Sequence, residues 1–192
     1  MAIDPKTGEI LALATYPSYD NNNIDQNLPE LSQDPDAPLI NRATQSLYPP
    51  GSTFKVVSAL ALLRDGATPA TPMECPTTTV VDGKAFENYD DYPPGALGGI
   101  TLSGALANSC NTAFVQMGLD MGADALRDAA DRFGIGQRYD LGLPNANGSL
   151  GDLPGPAELA QSAIGQRDVT MTALQAAVMA ATIANKGKRM QP

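Results

Sequence analysis

From Phe54 to Leu63 the chain is apolar at every position but two, Lys55 and Ser58. A helix over this run shows apolar surface on almost every side, and such a helix persists in water only when other elements cover it. The rest of the 192 residues must therefore supply a core around it, and that length is sufficient to do so. Tyr48-Pro49-Pro50-Gly51 resists helix formation, whereas everything from Ser52 onward favours it. The helix is expected over Ser52–Arg64, with Ser52 at or beside the N-cap and Gly66 just past the end.

The remaining pattern is mostly helical. Residues 1–16 read as a β-hairpin whose turn is Pro5-Lys6-Thr7-Gly8. Residues 17–47, rich in Asn, Asp and Pro, read as loop, and 65–100 as irregular chain with one short hairpin around Asp82-Gly83. Thr101 is the expected cap of a helix bearing Leu102, Ala105 and Leu106, which breaks near Asn108-Ser109 and resumes from Asn111 to Met117. An amphipathic helix over 123–133 stops at Gly134, and 134–166 reads as Gly- and Pro-rich loop. Residues 168–186 read as a long apolar helix capped by Asp168 or Thr170 and ended by Gly187. No internal repeat and no interdomain linker is visible. The fold class is α+β: a helical subdomain with the first strands of an antiparallel sheet. Two strands alone leave bare edges, so the chain is expected to be one partial domain over 1–192, its remaining strands missing.

Composition narrows the chemistry. There is no histidine, which removes every imidazole triad, dyad and metal site, and two cysteines are too few for structural zinc. No metal or cofactor is called for. Acidic residues outnumber basic ones 21 to 12, which argues against nucleic acid as a partner. No apolar run reaches the roughly 20 residues of a membrane span, and the N-terminus lacks the features of a secretion signal. Cys75 and Cys110 stand as a disulfide, two buried thiols or unrelated residues.

Lys55 then needs an explanation. A cation in the first turn of a helix opposes the macrodipole at a cost of roughly 0.3–1 kcal/mol, and no acidic residue follows before Asp65. Burial lowers a lysine pKa and makes the amine a usable base, and Ser52 lies three residues earlier on the same helix face. With histidine absent, a Ser-Lys pair is the serine-activating chemistry still open, and backbone N–H groups at the helix start suit a developing oxyanion. A Ser-x-x-Lys tetrapeptide alone recurs by chance about once in a chain this long, and a snorkelling lysine would account for it equally well.

The context is more specific. Tyr-Pro-Pro-Gly-Ser-Thr-Phe-Lys, residues 48–55, resembles the first active-site motif of the penicillin-binding proteins, and Ser109-Cys110-Asn111 resembles their second, Ser-x-Asn. The stretches 2–20, 41–55 and 162–187 are also similar to that family, so the likeness covers essentially the whole chain. It points to the class B, monofunctional type. The resemblance implies a peptidoglycan D,D-transpeptidase that joins a D-Ala–D-Ala stem-peptide donor to an amine acceptor and is acylated by β-lactams. On the same basis Ser52 is the nucleophile, Lys55 its base, Ser109 a proton relay to the leaving group, and Asn111 a substrate-binding residue that also holds Lys55. Ser109 and Asn111 also read as ordinary cap residues flanking a helix break. A parent anchored at the outer face of the bacterial membrane by an N-terminal helix, working with other cell-wall synthesis or division proteins, is implied as well.

The family's third motif, Lys-Thr/Ser-Gly on a strand, matches only Lys6-Thr7-Gly8, which precedes the first motif and reads as turn. The third motif is expected beyond Pro192, and the 192-residue piece by itself is expected to be marginally folded and a weak catalyst at best. Two rivals stand beside the transpeptidase. A serine β-lactamase of the Ser-Thr-Phe-Lys type would carry an apolar residue at position 111. A non-catalytic β-lactam sensor or scaffold would keep the pocket without turnover.

Overall fold

Asp4 turns the N-terminus back on itself: its Oδ1 accepts the N–H of Lys6 at 2.7 Å and its carbonyl accepts that of Gly8 at 2.9 Å. Strands β1 (Ala2–Ile3) and β2 (Ile10–Ala12) pair antiparallel across this turn. In the computed structural model, which describes residues 1–90 and 98–192, the chain continues through α1 (Ile24–Gln33), α2 (Arg42–Gln45), a 3₁₀ turn at Gly51–Phe54, and α3 (Lys55–Arg64). Then come β3 (Pro72–Glu74), β4 (Thr78–Val81), β5 (Lys84–Glu87), β6 (Gly99–Thr101), α4 (Leu102–Ala107), α5 (Asn111–Arg132), α6 (Pro156–Ala163) and α7 (Ala173–Ala184). Residues 91–97 of the expected irregular stretch lie outside the described residues.

The chain divides into two compact units, one of Met1–Tyr48, Gln137–Gly148 and Met171–Pro192, the other of Pro49–Gly136 and Ser149–Thr170. In the first, α7 is the organiser. Its Leu174 and Val178 are buried with Tyr139 and pack against Met1, Ile3, Ile10 and Leu141. Thr172 caps α7 in a reciprocal capping box with Gln175, so the cap lies beyond both Asp168 and Thr170, the two residues expected for it. The signal was present as Thr-x-x-Gln immediately before the apolar run.

The second unit covers the apolar α3 as its composition demands. α3 packs on α5 and α5 on α6, and the common core includes Ala59, Leu102, Phe114, Val115, Met117, Ala160 and Ile164. Ser58, one of the two polar residues in the run, donates to the Ala163 carbonyl at 2.6 Å and ties α3 to α6. The Asp82-Gly83 hairpin joins β4 and β5 with both turn residues at positive φ, +47° and +76°, as a two-residue turn matching the sheet twist requires. β3 pairs with β6, and Thr101 ends that strand and caps α4 by accepting the Gly104 N–H at 3.1 Å. The expected interruption between 117 and 123 appears as non-helical backbone at Gly122, φ +79°, inside α5.

Three expectations are corrected. Residues 17–47 are not all loop. α1 and α2 lie there, but α1 buries no residue and carries Pro29 in its interior, so it shows neither an apolar stripe nor an uninterrupted helical sequence. The 134–166 segment contains α6, which begins with Pro156 at its first turn after Gly155, and buries Leu159, Ala160 and Ala163. The 65–100 stretch holds β3 and the start of β6 besides the hairpin.

Candidate active site

The approach to Ser52 is set by two backbones in close contact. Gly51 donates its N–H to the Gly165 carbonyl at 2.9 Å, and a Cβ built on Gly165 would lie 2.1 Å from the Gly51 carbonyl oxygen. Gly165 also has φ +71°, so both space and conformation demand glycine there. Ser52 follows as the second residue of the Gly51–Phe54 3₁₀ turn, with α3 proper starting at Lys55. Ser52, expected at or beside the N-cap, thus lies inside the turn, the cap positions being Pro50 for the turn and Phe54 for α3. The i,i+3 relation survives this change because 3₁₀ geometry stacks residues three apart. Lys55 Nζ lies 3.2 Å from Ser52 Oγ.

Three further acceptors surround the same nitrogen. Lys55 Nζ donates to the Ser109 carbonyl at 2.7 Å, to Ser109 Oγ at 2.8 Å and to Asn111 Oδ1 at 2.6 Å. The α4–α5 break delivers these groups: Ser109 sits in the left-handed region at φ +51°, and Cys110 is the N-cap of α5. The structure thus brings Ser52, Lys55, Ser109 and Asn111 together around one amine.

The electrostatics of that amine follow from burial. Lys55 is 1% exposed while Ser52 and Ser109 are open to solvent, so the base is sheltered and the hydroxyls accessible. Loss of hydration pushes the Lys55 pKa down from 10.5 to about 8. Among the described residues no acidic side chain hydrogen-bonds to Nζ, and the four oxygens it does contact are neutral. The fully buried Phe114 ring, its centroid 5.8 Å from Nζ, forms an apolar wall beside it.

Counting donors shows which protonation states the cage accepts. The Ser109 carbonyl and Asn111 Oδ1 can only accept, and a neutral amine has two N–H bonds for them plus one lone pair. That lone pair can receive the Ser52 or Ser109 hydroxyl proton. The ammonium instead has three N–H bonds, two for the carbonyl oxygens and one for a hydroxyl. Both states are satisfied without moving a heavy atom, which is the property required of a group that takes and returns a proton.

Cys75 and Cys110 are joined in a disulfide that closes a sequence separation of 35 residues, resolving the three readings of that pair. It fastens the segment after β3 to the residue between Ser109 and Asn111. Lys6-Thr7-Gly8 forms the β1–β2 turn described above. Sequence reasoning missed Phe114, Gly165 and the residues at the end of β5. Asn111 Nδ2 donates to the Glu87 carbonyl at 2.9 Å, which fixes its Oδ1 toward Lys55. A backbone acceptor on another element leaves no trace in sequence.

The family model described as penicillin binding protein transpeptidase domain matches residues 1–192. The peptidoglycan D,D-transpeptidase PbpA of Mycobacterium tuberculosis strain H37Rv is 42% identical over 203 residues, covering 100% of this chain and 41% of that protein. The peptidoglycan D,D-transpeptidase MrdA of Acinetobacter baumannii is 33% identical over 211 residues, covering 100% of this chain and 31% of its own length. Among solved structures, penicillin-binding protein A from M. tuberculosis as its penicillin G acyl-enzyme complex superimposes with a TM-score of 0.92 at 41% identity, over 99% of this chain and 46% of that one. The chain therefore spans less than half the length of these relatives.

Proposed function

This chain belongs to the penicillin-binding protein transpeptidase family, and from that membership we propose that it contributes the nucleophile and base of a peptidoglycan D,D-transpeptidase. The single observation that carries the reading is the buried, hydration-poor amine of Lys55 held against Ser52, Ser109 and Asn111 at once.

In this reading Ser52 Oγ bonds to the carbonyl carbon of the penultimate D-Ala of a stem peptide as its proton passes to Lys55 Nζ. The bond from that carbon to the terminal D-Ala nitrogen breaks, and the leaving amine takes a proton through Ser109 Oγ. An amine of a second stem peptide then attacks the acyl carbon, Ser52 Oγ departs, and the attacking amine's proton returns along the same path. Asn111 binds the substrate amide and holds Lys55. The Gly51 N–H is taken by the Gly165 carbonyl, and the N–H groups that follow it in the Gly51–Phe54 turn, Ser52's first, lack intrahelical acceptors and are suited to the oxyanion. β-Lactams present a strained amide to the same nucleophile and stay attached as acyl-enzymes.

The whole protein is read as an envelope enzyme acting outside the bacterial membrane beside other cell-wall proteins, with residues 1–192 as one partial transpeptidase domain and a Lys-Thr/Ser-Gly strand supplied by sequence outside them. Among the described residues no helix is long and apolar enough to cross a membrane. Intact-mass analysis of the full-length protein after exposure to penicillin G tests the proposal. One adduct of the whole antibiotic mass, mapped to Ser52 and absent from Ser52→Ala, is expected, together with release of D-Ala from a stem-peptide donor when an acceptor amine is present. An unmodified Ser52, or rapid loss of the adduct as hydrolysed drug, would refute it.

A further inference from the structure

The turn that carries Ser109 and Asn111 is held from outside its own sequence, by the last residue of β5 and the one after it. Asn88 Oδ1 accepts the backbone N–H of Asn111 at 2.8 Å and lies 3.3 Å from that of Thr112. Both are first-turn donors of α5, which have no acceptor within the helix. Cys110, the formal N-cap, offers only a disulfide sulfur to Ala113 N–H at 3.4 Å, a weak acceptor. The capping that Ser or Asp ordinarily performs locally is here done by a side chain 23 residues earlier.

The other end of the same carboxamide is occupied too. Asn88 Nδ2 donates to the Pro76 carbonyl at 2.9 Å, and Thr112 Oγ1 donates to that carbonyl at 2.6 Å. Asn88 thus ties the first turn of α5 to the segment between β3 and β4, next to the disulfide. The adjacent Glu87 carbonyl takes Asn111 Nδ2 and decides which way that carboxamide faces. The Asn carboxamide carries an acceptor and a donor on one short planar group, which is what bonding the α5 N–H groups and the Pro76 carbonyl together requires.

We propose that Asn88 is a positioning residue for the acylation reaction, holding the N-terminus of α5 so that Asn111 presents its oxygen to Lys55. The proposal rests on the acyl-transfer reading above. Without Asn88 two helix N–H groups lose their acceptor, the first turn of α5 frays, and Asn111 drifts from Lys55 Nζ. A displacement of about 1 Å at such a site costs up to roughly a hundredfold in rate.

A double-mutant cycle on the full-length protein tests it, reading the second-order rate constant for acylation by a fluorescent penicillin. Asn88→Ala is expected to slow acylation about 10- to 100-fold in the wild-type background and less than about threefold in Asn111→Ala, because the residue acts through Asn111. Asn88→Asp, which keeps the cap oxygen and the volume but loses the donor to Pro76, goes through the same cycle and covers the case in which the alanine variant does not fold. It is expected to show a smaller loss that also vanishes in Asn111→Ala. Equal losses in both backgrounds, or no loss in the wild type, would overturn the positioning role. If Asn111→Ala alone acylates at the wild-type rate, the reading of Asn111 as a site residue fails, and this inference fails with it.

Discussion

If Lys55 takes the proton of Ser52, the rate of acylation must follow the fraction of that amine that is uncharged, and the structure gives the midpoint. Burial brings the pKa to about 8, so about one molecule in eleven is neutral at pH 7 and ten in eleven at pH 9. The second-order acylation constant should therefore rise about tenfold between pH 7 and 9 and level off above. A lysine left at its usual value of 10.5 would give roughly a hundredfold rise over the same interval with no plateau, so the two cases separate cleanly. Within residues 1–192 no histidine and no free thiol titrates beside this amine. Rapid-quench measurement of fluorescent penicillin incorporation into the full-length protein, in buffers of constant ionic strength from pH 6.5 to 9.5, gives the curve. Lys55→Met should lose both the reaction and its pH dependence. A flat profile, or a hundredfold climb without a plateau, would refute the claim that a desolvated Lys55 is the base.

The same shift reaches stability. A lysine whose folded pKa lies below its unfolded value adds stability at pH above 10.5, and that contribution is lost as pH falls through 8. Relative to Lys55→Met, the wild type should therefore gain about 2 kcal/mol in urea denaturation between pH 7 and 9.5, and a constant difference would contradict this. Reducing the Cys75–Cys110 bridge, or replacing both residues with serine, releases a loop of 35 residues; the expected loss is roughly 4 kcal/mol by chain-entropy arithmetic, measured as a lower denaturation midpoint. Gly165→Ala places a methyl against the Gly51 carbonyl at positive φ, so it should cost about 3 kcal/mol and slow acylation through the Ser52 turn. Ser109→Gly should be about 1 kcal/mol more stable than Ser109→Ala, since both lose the hydroxyl but only glycine relieves the left-handed backbone at φ +51°; differential scanning of the two proteins checks the order.

Sequence alone determined those features whose cause is local. The apolar run 54–63 required a covered helix, the Asp82-Gly83 pair required a tight hairpin, Thr101 required a helix start, and the lone cation at 55 three residues after a serine required a special environment. The resemblance to a known family fixed which of several helix-break residues to watch. Where sequence reasoning failed, an element was held by something distant or had no stripe to reveal it. α1 buries nothing, α6 begins inside a Gly- and Pro-rich stretch, and Ser52 belongs to a 3₁₀ turn shaped by Gly165 more than a hundred positions later.

Tertiary structure decided everything that depends on which atoms share water-free space. The pKa of Lys55 follows from everything packed around the amine, and the direction in which the Asn111 carboxamide faces, the cap that Asn88 lends to α5 and the partner of Cys75 are pairwise facts between segments about 20 to 40 residues apart. Periodicity and propensity report on neighbours along the chain, within a few residues. Desolvation and hydrogen-bond geometry act between neighbours in space, and folding is what chooses those.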